Sequence, residues 1–166
     1  AATQPLPYED VREQIIEALT EKEAAQLGLK MVKTAQAMLL DDVRSYSTAE
    51  GYRDIPADAE FTPLSQVAEA LQKQFGVLPT VHRHDANWLD RDDLLALDSI
   101  GRSYMLERLT VSFPEYVFSA RAFSPAQDNP LTALRLQRGV PSPSLVNENS
   151  SLHLFRLIDT APQRVP

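Results

Sequence analysis

No cysteine occurs among the 166 residues, which excludes disulfides, zinc–thiolate sites and thiol nucleophiles while leaving the redox compartment open. Glycine is scarce and scattered, at 28, 51, 76, 101 and 139, so there is no Gly-rich phosphate loop. A Gly-x-Ser-x-Gly nucleophile elbow is missing too. No stretch of about 18 apolar residues is present to span a bilayer, and residues 1–7 lack the basic-then-apolar pattern of a secretory leader. Basic residues are outnumbered, 16 Lys+Arg against 23 Asp+Glu, and a chain of net charge −7 with scattered cations matches nucleic-acid phosphates poorly. What is present suffices for a folded domain. With 43% hydrophobic residues, a chain of this length buries roughly 70% of its unfolded surface. The missing initial Met and the proline-rich tail fit a segment of a longer protein.

Two units are expected: a projecting amphipathic helix over 1–45 and a small α+β domain over 46–166. Tyr8, Val11, Ile15 and Leu19 recur at steps of three and four, and Leu27, Met31, Ala35 and Met38 resume the pattern. A capping box at Thr20-Glu21-Lys22-Glu23 would split the helix in two. Without Gly or Pro before Gly28, the spacing favours one rod of about 55 Å over 8–45. Its exposed stripe could support a homodimer. Residues 46–62 read as loop, and 64–75 as a helix opened by Pro63 and closed by Gly76. Residues 77–81 read as a short extended piece, and 90–100 as a helix capped by Asp90 and Asp93. In 111–123, Pro114 predicts an edge strand or turn. At the end, 145–146 and 151–159 alternate as strands around an Asn147–Ser150 turn. Leu152, Leu154, Arg156 and Ile158 share one face; His153, Phe155 and Leu157 share the other. Helices first and strands last predict helices packed on a small antiparallel sheet.

The densest polar cluster runs from His82 through His84 to Asp85. On an extended backbone His82 and His84 share a face and, with Asp85, would form an open metal site. A solvated loop is the blander reading. Asp41 and Asp42, unfavourable at a helix C-terminus, are expected to face solvent. His153 is a lone histidine in an apolar strand, a setting that suits a hydrogen-bonded sheet residue better than a catalytic one.

Leu134-x-Leu136, Gly139, Ser142, Leu145-Val146 and then Ser151-Leu152-His153-Leu154-Phe155-Arg156-Leu157 resemble the C-terminal half of a parvulin-type peptidyl-prolyl isomerase. Glu23 to Leu40 resembles that family's first helix, and Phe61-x-x-Leu64 the start of its next. The Val11-to-Leu19 helix with its Glu-Lys-Ala continuation is similar to extracytoplasmic chaperone-isomerases of the SurA and PpiD kind. The resemblance implies an antiparallel parvulin-like sheet, no cofactor, and His153 at the family's C-terminal active-site histidine. It also implies a peptide groove drawing on Phe123, Leu134, Leu136, Ser142 and Phe155. The family's other polar groups are missing here: residues 1–81 hold no histidine, Leu71 stands near the acidic or thiol position, and only Phe75-Gly76 remains of the Gly-Gly-x-Leu-Gly segment. The expectation is therefore a non-catalytic module that binds polypeptide clients or neighbouring domains. It would sit in a larger bacterial protein of the periplasm or cell envelope, membrane-anchored only through regions outside this chain. The alternatives are an active isomerase rebuilt around His153 with Tyr116 or Ser142, and the metal site at 82–85.

Overall fold

A computed structural model describes residues 8–49, 52–84, 87–120 and 136–159. The first element is a single helix, α1 (Tyr8–Asp41), about 51 Å long at 1.5 Å per residue. Thr20 does not cap a second helix; its hydroxyl donates back to the Ile16 carbonyl at 2.8 Å, which leaves the ladder continuous. Every described side chain from Arg12 to Gln26 is exposed, whereas Ala35, Leu39 and Val43 are buried. Half of the rod projects and half is built into the body.

After α1 comes a two-residue hairpin, β1 (Thr48–Ala49) with β2 (Tyr52–Arg53). Then follow α2 (Leu64–Phe75), α3 (Arg91–Leu95) and a 3₁₀ turn at Ile100–Arg102. The chain continues through β3 (Tyr104–Met105), β4 (Arg108–Ser112), α4 (Phe113–Phe118), β5 (Leu145–Val146) and β6 (Leu152–His153). The sheet order is β4-β3-β5-β6, antiparallel throughout. The fold is α+β, with helices on a small antiparallel sheet.

Two apolar clusters hold it together. One joins α1 to α2 through Ala35, Leu39, Val67 and Leu71, with Leu154 against them. The other gathers Leu94, Met105, Val111, Phe113, Tyr116, Leu136 and Leu145, with Phe155 and Leu157 packed on it. The C-terminal segment serves both. Leu152 reaches Gly28 of α1, Leu154 joins the helical cluster, and Arg156 lies 3.6 Å from Asp42. On the opposite face His153 meets Ser99, and Phe155 stands edge-on to Phe113 and Tyr116. The period-two alternation read from the sequence thus places alternate side chains in different cores.

The 136–140 stretch locks the small hairpin to this body. Gln137 acts as a strand partner for Arg53, accepting its backbone N–H at 2.8 Å and donating to its carbonyl at 2.9 Å. Gly139 then turns the chain at φ 81° beneath the ring of Phe61. That positive φ brings the Gly139 N–H to the Leu157 carbonyl at 3.0 Å.

Local structure departs from the sequence reading in several places. The helix expected over 90–100 stops at Leu95 and is followed by the separate 3₁₀ turn. The strand expected over 151–159 pairs, among the described residues, only at Leu152–His153, with a single further bridge at Arg156. The 46–62 loop contains the β1–β2 hairpin. Residues 77–81 form no ladder and leave Val77, Leu78 and Val81 exposed. Pro114 does not make an edge: Ser112 accepts from the Glu115 N–H, and Pro114 enters the first turn of α4, where its missing N–H costs nothing. Asp42 is not solvated. It accepts from the Thr62 N–H at 2.7 Å and the Thr62 hydroxyl at 2.6 Å, and these donors with Arg156 offset the unfavourable helix dipole.

Candidate functional site

Three polar side chains, one from the turn after α3 and two from the β5–β6 hairpin, meet at one end of the sheet. Asn147, in the β5–β6 turn, accepts from the N–H groups of Asn149 and Ser151 through Oδ1, at 3.0 and 2.9 Å. Two donors on the oxygen fix the amide orientation, and its nitrogen therefore faces Ser99, donating to Oγ at 2.9 Å. On the other side of that oxygen lies His153 Nε2, 3.0 Å away. Burial, and secondarily the charge of His82, hold His153 below its ordinary 6.5, so the ring is neutral at pH 7. A neutral ring protonated on Nδ1 offers Nε2 as an acceptor for the Ser99 hydroxyl.

Ser99 itself has a rare backbone. With φ 63° and ψ −59° it forms a three-residue turn closed by the Ile100 N–H on the Asp98 carbonyl at 2.7 Å. For a residue with a side chain, this conformation costs on the order of 1–3 kcal/mol. The turn is held between fixed points: Leu94 anchors α3 in the core, and Gly101 lies buried directly after the turn, against the Leu94 and Leu95 carbonyls. Ser99 opens onto a depression of about 410 Å³ lined by Leu95, Leu97, Asp98, Arg102 and Asn147.

The expected site residues separate. His153 is half-buried and hydrogen-bonded, with Ser99 and Asn147 as its neighbours rather than an isomerase set. Leu136 and Ser142 are each 1% exposed, and burial removes both from any surface that a peptide could touch. Ser142 instead ties the hairpin, accepting from the Phe155 N–H and donating to the Pro143 carbonyl, both at 2.9 Å, while Gln36 donates to its carbonyl. Phe155 fills the core between Phe113 and Tyr116. Tyr116 is itself buried, its hydroxyl pushed up to about 12 by desolvation and then by Tyr52. Phe123 and Leu134 lie outside the described residues. His82 and His84 do share a face, their rings nearly parallel with centroids 6.3 Å apart, but both are exposed on irregular backbone. Asp85 lies outside the described residues, and among those described no group of three His, Cys, Asp or Glu side chains could hold a metal ion.

Sequence reasoning missed Ser99 and Asn147. An Asn-x-x-Ser turn announces its own backbone bonds, but nothing in the Asp98-Ser99-Ile100 triplet announces a positive φ. Comparison with family models, curated proteins and solved structures finds no match for this chain.

Proposed function

We propose that this chain is a parvulin-like polypeptide-interaction module of a larger extracytoplasmic bacterial protein, non-catalytic toward prolyl bonds. The observation that carries the reading is the half of α1 that stands clear of the body: Ile16 and Leu19 are more than half exposed there, on a rod whose far end is anchored by Leu39 and Val43. A rigid, partly apolar helix held away from its domain offers weak, sequence-tolerant contact to unfolded segments, or to a second copy of itself. The parvulin kinship rests on the resemblance over residues 133–158, and the extracytoplasmic setting on the similarity of the Val11-to-Leu19 helix and its continuation to chaperone-isomerases of the SurA and PpiD kind. Absence of isomerase chemistry is supported by the surroundings of His153. Lowering a barrier of about 18–20 kcal/mol needs preorganised groups around the twisted amide and an apolar seat for the proline ring. The apolar residues near this strand, Leu136 and Phe155, are committed to the core.

Two assays test the proposal. In a protease-coupled isomerisation assay the chain is expected to give no acceleration; turnover that vanishes in His153→Ala would establish an active isomerase instead. In suppression of aggregation of a chemically unfolded client, the chain is expected to act and Ile16→Asp/Leu19→Asp to lose the effect while keeping its circular dichroism spectrum. Equal suppression by that variant would overturn the role given to the helix.

A further inference from the structure

We propose that Ser99 is an activated serine that accepts the acyl group of small carboxylic esters, with His153 as its base and Asn147 as the donor facing the developing oxyanion. The proposal is independent of polypeptide binding and rests on three features that converge on one oxygen. A glycine would occupy the turn at φ 63° without strain, yet the residue there carries a hydroxyl placed at the edge of an open depression. That hydroxyl has a ring nitrogen at 3.0 Å on one side and a fixed amide at 2.9 Å on the other. Nucleophile and base at hydrogen-bond distance, each held by a separate element, are the geometric requirement for serine activation. The depression supplies room for a small acyl group, and its lining carries Arg102 together with Asp98 and Glu148.

The chemistry balances without a cofactor. Ser99 Oγ attacks the ester carbonyl carbon as its proton passes to His153 Nε2, and the carbonyl oxygen takes up the negative charge. Asn147 Nδ2 keeps one N–H on Oγ; the other, which has only the Ser99 carbonyl at 3.5 Å, is the donor left for that oxygen, with the amide plane unchanged. Collapse breaks the ester C–O bond and the leaving alkoxide takes the proton from Nε2. Water then attacks the acyl-serine with the same ring as base, releasing the carboxylic acid and restoring Ser99.

Treating the full chain with a fluorophosphonate, and separately with p-nitrophenyl acetate, tests this directly. The expected result is one covalent adduct, mapped to Ser99 by peptide mass, together with ester turnover. Ser99→Gly, which the turn accommodates without strain, should abolish both. His153→Gln, which can still hydrogen-bond, should slow labelling about 100-fold and remove a rise in rate with pH whose midpoint lies below 6.5. Absence of an adduct on the unmodified chain overturns the proposal and reduces the trio to a staple between the turn and the hairpin. So does an adduct that forms at the same rate in Ser99→Gly, or a labelling rate unaffected by His153→Gln.

Discussion

Replacing Gly139 by alanine makes two demands at once, and the structure separates them. The first is conformational: φ is 81°, and an L-residue in that left-handed region costs about 1–2 kcal/mol. The second is steric. A methyl built on Gly139 would sit 2.1 Å from Phe61 Cζ and 2.4 Å from Cε1, far inside van der Waals contact. The ring is not free to swing aside, because the guanidinium groups of Arg138 and Arg156 lie over it, 5.3 and 5.5 Å from its centroid. Forcing extra volume into such a place costs about 1–3 kcal/mol, so the expected loss is about 2–5 kcal/mol. Gly76 supplies the control. It closes α2 at φ 76°, and a methyl there meets nothing within 4 Å, so Gly76→Ala should lose only the conformational part, about 1–2 kcal/mol. Urea unfolding followed by circular dichroism, at constant m, reads both values. Adding Phe61→Leu to Gly139→Ala should return part of the difference. Equal losses for the two alanine variants would refute the reasoning, since they would leave Phe61 no part in it.

Asp42→Asn should cost about 3–5 kcal/mol in the same urea experiment, because it leaves Arg156, whose side chain is 12% exposed and whose Nη1 already lacks a hydrogen bond, without its counter-charge. Deleting residues 1–20 should change stability by less than about 0.5 kcal/mol, as the described side chains from Arg12 to Gln26 are all exposed; a large loss would mean that the projecting half supports the body. His153 titrates lower when folded than its ordinary 6.5, so acidification protonates the unfolded chain first. Stability should therefore decline as pH falls below about 6.5 and level off once the folded ring is charged as well, and His153→Gln should flatten that slope. At the other end, Tyr116 is pushed up to about 12 from 10.0. Its contribution is intact below pH 10 and is lost as pH rises through 12, so Tyr116→Phe should blunt alkaline unfolding monitored by fluorescence.

Legibility in the sequence followed the range of the interactions. The Asp90–Asp93 capping box, the Pro63 and Gly76 bounds of α2, and the alternation at 152–158 are written within a few residues, and each was readable. Pro114 misled because a proline opening a helix and one ending a strand leave the same local mark, and the Ser112 cap decides between them. Asp42 could not be read as buried, since the groups that bury it, Thr62 and Arg156, arrive from distant segments. Ser142 and Leu136 were implied in a groove by the resemblance alone, and a matching motif cannot tell the inner side of a hairpin from the outer. The Ser99–His153 contact joins residues 54 apart, one of them held by a turn whose sign of φ no nearby residue reveals.

A translating ribosome would release these residues in an inconvenient order. The long helix is made first, yet the groups that secure it come late: Gln36 waits for the Ser142 carbonyl, 106 positions downstream, and Leu39 for Leu154. At 5–20 residues per second that delay is roughly 5–20 s, during which the apolar side of the rod has no tertiary shelter beyond α2. The 152–157 segment acts as the bolt for both halves of the molecule, so a nascent chain stalled anywhere before it is left open to proteases and to its neighbours.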